Sequence, residues 1–345
     1  MSRGPRLETP ALVAGVVDPA RSYGCLRWVV PFTVVDLAAA GWVRGEREPG
    51  GDESKRWFIP PERSPYAGRE WLFKPRRTKE LLLSTQRQQR GDTPDVLVRG
   101  DDWAEKISSE LAHLMTVPAA TTELALSVQL SDHRPVRGSI SRDVRPSGWV
   151  LSAGASRLEE FDDAFDADTG HGHTMDAIAQ ALAGLSGPPE TPYEAWPAFD
   201  VFVGYLVLDA WIVNTDRHAY NWALVQAPSG VMRLAHSFDH GSALGSGYGE
   251  ALHARALEEG IETWSRRGKA SRFPDSGPLT LVELALHALQ AASPPARAHW
   301  MRQISQVSDH ACEDIVQSIP DMSEVTRRFV TEVLAVNRRR LIDGA

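Results

Sequence analysis

Cysteine is scarce in this sequence, which has only Cys25 and Cys312 among its 345 residues. Two cysteines so far apart exclude the disulfide framework of a small secreted domain and a zinc site built from cysteines. The N-terminal residues contain no apolar stretch ahead of a small-residue cleavage site, so we expect no signal peptide. We therefore expect a protein of the reducing cytoplasm.

Long apolar runs and an excess of basic residues are also missing. The longest apolar run, Val201 to Val213, contains Asp209 and is too short to span a bilayer. The 45 Asp and Glu residues outnumber the 37 Lys and Arg residues, for a net charge of −8, whereas a general nucleic-acid binder is normally basic. We expect neither direct nucleic-acid binding nor attachment to an anionic membrane.

Three side chains do stand at a spacing that suits phosphoryl transfer. Asp216 lies five residues before Asn221, and Asp239 follows eighteen residues after that asparagine. In transfer from ATP, one carboxylate takes the proton of the attacking hydroxyl, while an amide oxygen and a second carboxylate hold Mg²⁺ on the phosphates. The alternative is a chance match, because an aspartate at a helix end is more often a cap than a base.

The residues around this set predict a helix, a loop and a hairpin. Apolar residues at helical spacing from Phe199 to Val213 predict a buried helix that delivers Asp216 to a loop. Residues 222–225 and 232–235 predict two short strands joined by a Pro-Ser-Gly turn, and Asp239 follows the second strand. Helix, catalytic loop, hairpin and metal-binding aspartate is the order of the large lobe of a kinase.

Residues 214–225 (NTDRHAYNWALV) and 234–245 (LAHSFDHGSALG) resemble the C-terminal lobe of HipA-like serine/threonine kinases, the toxin-type kinases of bacteria. Their D-R-H-x-x-N core is shared with phosphoinositide lipid kinases. Residues 137–143 resemble the segment at which HipA-like chains leave the small lobe, and residues 319–341 resemble their last helices. The similarity covers most of the chain from about Trp71 onward.

The resemblance implies an α+β, two-lobed protein-kinase-like fold with a mixed, β-rich small lobe and a mainly helical large lobe. Residues 1–145 would form the small lobe with the ATP-binding lysine. Residues 146–345 would form the large lobe with the catalytic loop and the metal site. A length of 345 residues suits two lobes.

Lys74 is the candidate ATP-binding lysine. It ends an apolar strand predicted over residues 70–74, and the resemblance implies that its charge faces the α- and β-phosphates. The alternative is a strand-end lysine in solvent. A helix predicted over residues 103–115 offers Glu105 and Glu110 as partners, which do not share a face. The spacing in HipA-like chains favours Glu105, and Glu110 is expected on a solvated face.

Side-chain chemistry predicts roles within the catalytic loop. Asp216 would orient the substrate hydroxyl and take its proton, and Arg217 and His218 would offset charge on the transferred phosphoryl group. A structural hydrogen-bonding role for His218 is an equal alternative. Asn221 and Asp239 would hold Mg²⁺ through oxygen atoms, with water completing its coordination.

The predicted small lobe contains no G-x-G-x-x-G sequence, so eukaryotic protein kinases are a poor template. Backbone amides near Ser54 and Lys55 are the candidate phosphate cradle ahead of the Lys74 strand. HipA-like kinases can autophosphorylate a serine in this loop, for which Ser54 and Ser64 are the candidates. His240 stands where a D-F-G motif has Phe, so a Phe-driven activation switch is not expected.

The motif His171-Gly172-His173 allows a metal site as one interpretation, but H-x-H alone is a weak signal. A solvated loop is the preferred interpretation, because several aspartates stand close by in the sequence.

The resemblance to HipA-like kinases implies ATP- and Mg²⁺-dependent phosphorylation of a Ser/Thr hydroxyl on a protein, with a neutralising partner protein as in toxin-antitoxin systems. A lipid or small-molecule kinase is the first alternative, since D-R-H-x-x-N is shared with lipid kinases. A nucleotide-binding regulator without turnover is the second, and the intact set of Asp216, Asn221 and Asp239 argues against it.

Overall fold

A computed structural model describes residues 30–47, 55–80, 95–128 and 134–345. The first eight described strands are β1 Val34–Asp36, β2 Val43–Arg47, β3 Arg56–Ile59, β4 Trp71–Pro75, β5 Thr78–Glu80, β6 Val96–Val98, β7 Thr122–Val128 and β8 Pro135–Arg142. Six of them form one sheet in the order β1-β7-β8-β4-β3-β2, in which β1 and β7 are parallel and the other neighbours are antiparallel. Strands β5 and β6 pair with each other in a separate sheet.

Strand β4 lies inside this sheet. Its first three residues, 71–73, are apolar and buried, as expected for a strand covered on both faces. It pairs with β3 on one side and with β8 on the other, where Lys74 lies opposite Ser139. A Cβ atom at Gly138 would stand 2.1 Å from the carbonyl oxygen of Lys74, so this pairing requires glycine there.

Helix α1, Asp101–Leu114, packs against β7 and β8. Its first turn carries Asp101 and Asp102, where carboxylates interact favourably with the helix dipole. Arg76 Nη2 lies 2.5 Å from Asp102 Oδ2, and Arg77 Nε lies 2.8 Å from Asp101 Oδ2. These pairs fix the helix start against the chain that leaves β4.

The remainder of the described chain is mainly helical around α4, which is buried on nearly all sides and packs against α7, α8 and α10. A three-stranded sheet, in the order β11-β10-β9, follows the loop after α4. Its strands are β9 Val150–Ala153, β10 Ala223–Gln226 and β11 Met232–Leu234. The helices are α2 Gly154–Glu159, α3 Met175–Ala181, α4 Ala198–Ile212, α5 Glu250–Glu259, α6 Ile261–Ser265, α7 Leu281–Ala291, α8 Pro294–Gln306, α9 Asp309–Gln317 and α10 Glu324–Asp343.

The predicted α+β class, the buried helix before the catalytic loop and the hairpin after it are confirmed. Within the described residues the first strand begins at Val34. A lobe boundary after residue 145 stays a prediction. Among the described helices, none has the length and apolar character needed to cross a bilayer.

Candidate active site

The predicted catalytic loop begins where α4 ends. Val213 adopts a left-handed backbone conformation with φ of 52°, which turns the chain out of the helix. Asp209, in the last turn of α4, accepts hydrogen bonds from the side chains of Asn214 (2.8 Å) and Arg217 (2.7 Å from Nε). The Asp209 and Arg217 side chains are each only 2% exposed, so this ion pair is fully buried.

The remaining N–H groups of Arg217 donate hydrogen bonds to the backbone and side chains around the loop. Its guanidinium donates to the carbonyl oxygens of Asn221 and Phe238 and to Ser237 Oγ. It also lies 3.2 Å from His240 Nε2. Because Arg217 is buried and fully bonded, its geometry fits the positioning of the loop, and it does not fit the predicted contact with a phosphoryl group.

Lys74, Glu105 and Asp239 meet in one ion-paired cluster. Lys74 Nζ lies 2.7 Å from Glu105 Oε1 and 2.9 Å from Asp239 Oδ1. The second oxygen of Glu105 accepts the backbone N–H of His240 at 3.1 Å. Glu105 therefore links β4, α1 and the segment after β11. Glu110 points elsewhere and pairs with Lys106 at 2.7 Å.

Electrostatics keeps this cluster ionised. Burial alone would lower the pKa of Lys74, but the Asp239 and Glu105 carboxylates raise it well above its ordinary value. Burial alone would raise the pKa of Asp239, but the Lys74 and Lys55 charges lower it well below its ordinary value. Both groups are consequently charged at neutral pH.

Asp216 is held by a residue that the sequence did not single out. Arg272 binds Asp216 Oδ1 through Nε at 2.9 Å and through Nη2 at 2.5 Å. The other carboxylate oxygen lies 3.4 Å from Ser242 Oγ. Asn221 donates its side-chain N–H to the backbone carbonyl of Asp216 at 2.7 Å, which fixes the loop between them.

A cavity of about 150 Å³ gathers most of the predicted site residues. The lining residues that the sequence did not single out for the site are Pro75, Arg77, Asp101, Asp102, Ser139, Gly241 and Ser242. Ser54 lies outside the described residues, and Ser64 is not among the lining residues. The predicted site residues in the lining are Lys55, Lys74, Glu105, Asp216, His218, Asn221 and Asp239.

His218 makes a structural hydrogen bond within the loop, and its contact with a phosphoryl group stays a prediction. It lines the cavity, and its Nδ1 accepts the backbone N–H of Tyr220 at 3.2 Å. Burial lowers the pKa of His218 against the opposing effect of the Asp216 charge. A neutral ring with one nitrogen committed to the backbone has one nitrogen left for the cavity.

The oxygen donors at this cavity fit a magnesium ion. The amide nitrogen of Asn221 is committed to a backbone carbonyl, so its Oδ1 remains as an acceptor. Asp239 uses Oδ1 for Lys74, so Oδ2 remains. Amide and carboxylate oxygens are the hard donors that Mg²⁺ prefers, and phosphate oxygens and water complete the rest.

The two histidines of the His171-Gly172-His173 motif lie in different environments. His171 is exposed and pairs with Asp275 at 3.1 Å. His173 is buried, accepts from Trp222 Nε1 at 3.1 Å and donates through Nδ1 to the carbonyl oxygen of Arg272 at 2.7 Å. Burial lowers the pKa of His173 to about 4. The solvated loop was therefore the wrong interpretation for His173, which fixes the backbone that carries Arg272.

Comparison with known proteins supports the fold. The kinase CtkA of Helicobacter pylori, described as proinflammatory, superposes with a TM-score of 0.62 at 14% identity, over 90% of this chain and 96% of that chain. HipA of Shewanella oneidensis MR-1, in a complex with HipB and operator DNA, gives a TM-score of 0.44 at 14% identity, over 70% of this chain and 57% of that chain. Neither a family model nor a curated protein matches the sequence. The predicted kinase-like fold is confirmed by the CtkA superposition.

Proposed function

We propose that this chain is an ATP- and Mg²⁺-dependent kinase that phosphorylates a Ser or Thr hydroxyl of a protein. The observation that carries the proposal is the convergence of Lys74, Glu105 and Asp239 on the cavity that Asp216 and Asn221 also line. These residues come from a strand, a helix and two loops. A purely structural role would not require that they face one cavity.

The chemistry follows from the positions of the charges. The acceptor hydroxyl oxygen attacks the γ-phosphorus of ATP, its proton passes to Asp216, and the bond to the β,γ-bridging oxygen breaks to release ADP. Lys74, oriented by Glu105, would hold the phosphates by charge. Mg²⁺, held by Asn221 and Asp239, would supply neutralisation of the phosphate oxygens.

Two loop residues take different proposed roles. Arg217 positions the loop through Asp209 and Asn221, so it acts through other residues. His218 lines the cavity with a neutral ring and would contact the transferred group by a hydrogen bond. Lys55 lines the same cavity and would add positive charge near the phosphates.

A Ser or Thr acceptor on a protein is proposed because residues 214–225 and 234–245 resemble HipA-like serine/threonine kinases. A neutralising protein partner is part of the proposal, because the sequence resembles HipA-like kinases. The low number of cysteines suits a cytoplasmic location. A lipid or small-molecule acceptor is an alternative that the experiment below distinguishes.

The test is incubation of the purified protein with γ-labelled ATP and Mg²⁺, followed by intact mass and phosphosite mapping. Asp216→Asn serves as the inactive variant, and Asp163→Asn, at an exposed aspartate of the acidic loop, is the matched control. We expect label on Ser or Thr in the wild type and in the control only. Calorimetry should give similar ATP affinity for all three proteins.

Two results would contradict the proposal in different ways. Bound ATP without any turnover in the wild type would make the chain a nucleotide-binding regulator. Turnover that needs an added lipid or small molecule, with no labelled protein, would change the acceptor class. Full activity of Asp216→Asn would remove that carboxylate from the chemistry.

A further inference from the structure

A second cavity adjoins the proposed active site. It has a volume of about 290 Å³, and Ser242 lines both cavities. Thr215, which precedes Asp216 in the chain, also lines the second cavity. The hydroxyl of Ser242 is the group that lies 3.4 Å from Asp216 Oδ2. Ser242 therefore connects the wall of the second cavity to Asp216.

The walls of this cavity combine large apolar side chains with polar and charged ones. Tyr248, Leu252 and Trp264 contribute the large side chains, and Tyr248 and Leu252 are about half exposed, at 49% and 50%. Trp264 is held edge-on by Phe329 at 4.8 Å between ring centroids and by Tyr248 at 6.3 Å. The aromatic wall is thus fixed by neighbouring rings before any ligand enters, which lowers the entropic cost of binding.

The rim of the cavity carries an excess of positive charge. Arg255 Nε lies 2.6 Å from Glu259 Oε1, and Arg267 Nη2 lies 3.2 Å from Glu259 Oε2. Two guanidinium groups share one carboxylate, so one positive charge is left over. These side chains are well exposed, and their attraction for an acidic group is screened by salt.

We propose that this cavity binds a large apolar side chain of the acceptor polypeptide, close in sequence to the phosphorylated Ser or Thr, with an acidic residue of the same segment at the rim. An apolar cavity of roughly 150 Å³ holds a benzene ring, so a volume of about 290 Å³ is enough for an aromatic or leucine side chain. This inference rests on the proposed function, because it requires Asp216 to act on an acceptor hydroxyl.

The test uses a peptide library with a central serine, in which each flanking position is fixed in turn to one residue type. We expect peptides with Phe, Trp or Leu near the serine to show about ten- to one-hundred-fold higher kcat/KM than those with Ala, the range expected for burial of one large apolar side chain. Leu252→Asp should remove most of this preference. An aspartate in the first turn of α5 is compatible with the helix dipole, so this variant should fold.

Two further variants complete the design. Val231→Asp places the same charge at a site of matching exposure, 51%, in the β10–β11 turn, and should keep the apolar preference. Arg267→Glu should lower the preference for acidic flanking residues and leave the apolar preference in place. If Leu252→Asp fails to fold by circular dichroism, Tyr248→Ala gives the same readout.

The outcomes separate this inference from the proposed function. Peptide phosphorylation without apolar preference, or with a preference that Leu252→Asp leaves intact, overturns the inference. ATP turnover in the absence of any peptide phosphorylation also overturns it, while kinase chemistry stands. Absence of ATP turnover under all conditions overturns the proposed function itself.

Discussion

Two ion-paired centres lie close to each other and differ in accessibility. The side chains of Arg217 and Asp209 are each 2% exposed, and the N–H groups of the arginine all donate to protein atoms. In the Lys74 cluster the lysine side chain is 17% exposed and the Asp239 side chain 35%. The first centre can only hold the loop in place, whereas the second can exchange a protein contact for a ligand contact.

Removal of one partner should therefore affect stability and function to different extents in the buried pair and in the accessible cluster. Loss of one member of a fully buried pair leaves an uncompensated charge in the protein interior. Loss of Lys74 leaves Asp239, which is 35% exposed, and Glu105, which is buried but still accepts the backbone N–H of His240, so stability should suffer less than function. The following predictions test this contrast.

The largest effect is expected from Arg217→Ala. The change leaves Asp209 buried without its cation, which should lower the free energy of unfolding by about 3–5 kcal/mol. Urea unfolding measures this difference. Arg328→Ala removes an exposed pair with Glu332 within α10 and should cost less than about 1 kcal/mol. Equal losses for the two variants would contradict the contrast.

Lys74→Met should act mainly on activity. Removal of a charge that stabilises the transferring phosphoryl group should reduce turnover by about 100-fold or more, while the free energy of unfolding falls by less than in Arg217→Ala. Label transfer and urea unfolding of the same preparation give both quantities. Lys79→Met, at an exposed position in β5, is the matched control. A stability loss as large as that of Arg217→Ala would make Lys74 a structural residue.

The pH dependence of stability should come from the buried histidines. Burial lowers the pKa of His240, beside Arg217, to about 3, and burial lowers the pKa of His173 and of His236 to about 4. Their folded pKa values lie below the ordinary 6.5, so their contribution to stability is complete above pH 6.5 and is lost as the pH falls toward 4. Each should contribute a slope of up to about 1.4 kcal/mol per pH unit in that window.

The accessible cluster should not contribute to this slope. The pKa of Lys74 is raised and that of Asp239 is lowered, so neither titrates between pH 5 and 8. Urea unfolding at a series of pH values from 8 to 5 measures the total slope. His240→Gln should reduce it, and a stability that stays flat down to pH 5 would contradict the burial of neutral histidines.

The sequence predicted the accessible centre better than the buried one. Lys74 and Glu105 were identified from a strand end, a helix and a family spacing, and the fold brings them together with Asp239. Arg217 was assigned to the cleft because it lies next to Asp216, but adjacency does not determine the direction of a side chain. An aspartate inside an apolar helix was the available signal, because Asp209 at that position requires a buried cation.

Arg272 could not have been found from local pattern. It lies 56 residues beyond Asp216 in sequence, in a loop without regular structure. Its position depends on tertiary contacts, namely the hydrogen bond from His173 to its carbonyl oxygen and the packing of the Phe273 ring against His173 at 4.5 Å. Such contacts depend on the whole fold, so they cannot be predicted from the spacing of residues along the chain.

The contact between α4 and α10 has a consequence for synthesis. Trp211, one turn before the catalytic loop, donates its indole N–H to the carbonyl oxygen of Leu334 at 3.1 Å, and Asn337 donates to the carbonyl oxygen of Trp211 at 3.3 Å. A nascent chain still attached to the ribosome lacks these partners until α10 has emerged. The loop after α4 therefore reaches its final surroundings only once residues 324–343 have been synthesised and can fold against α4.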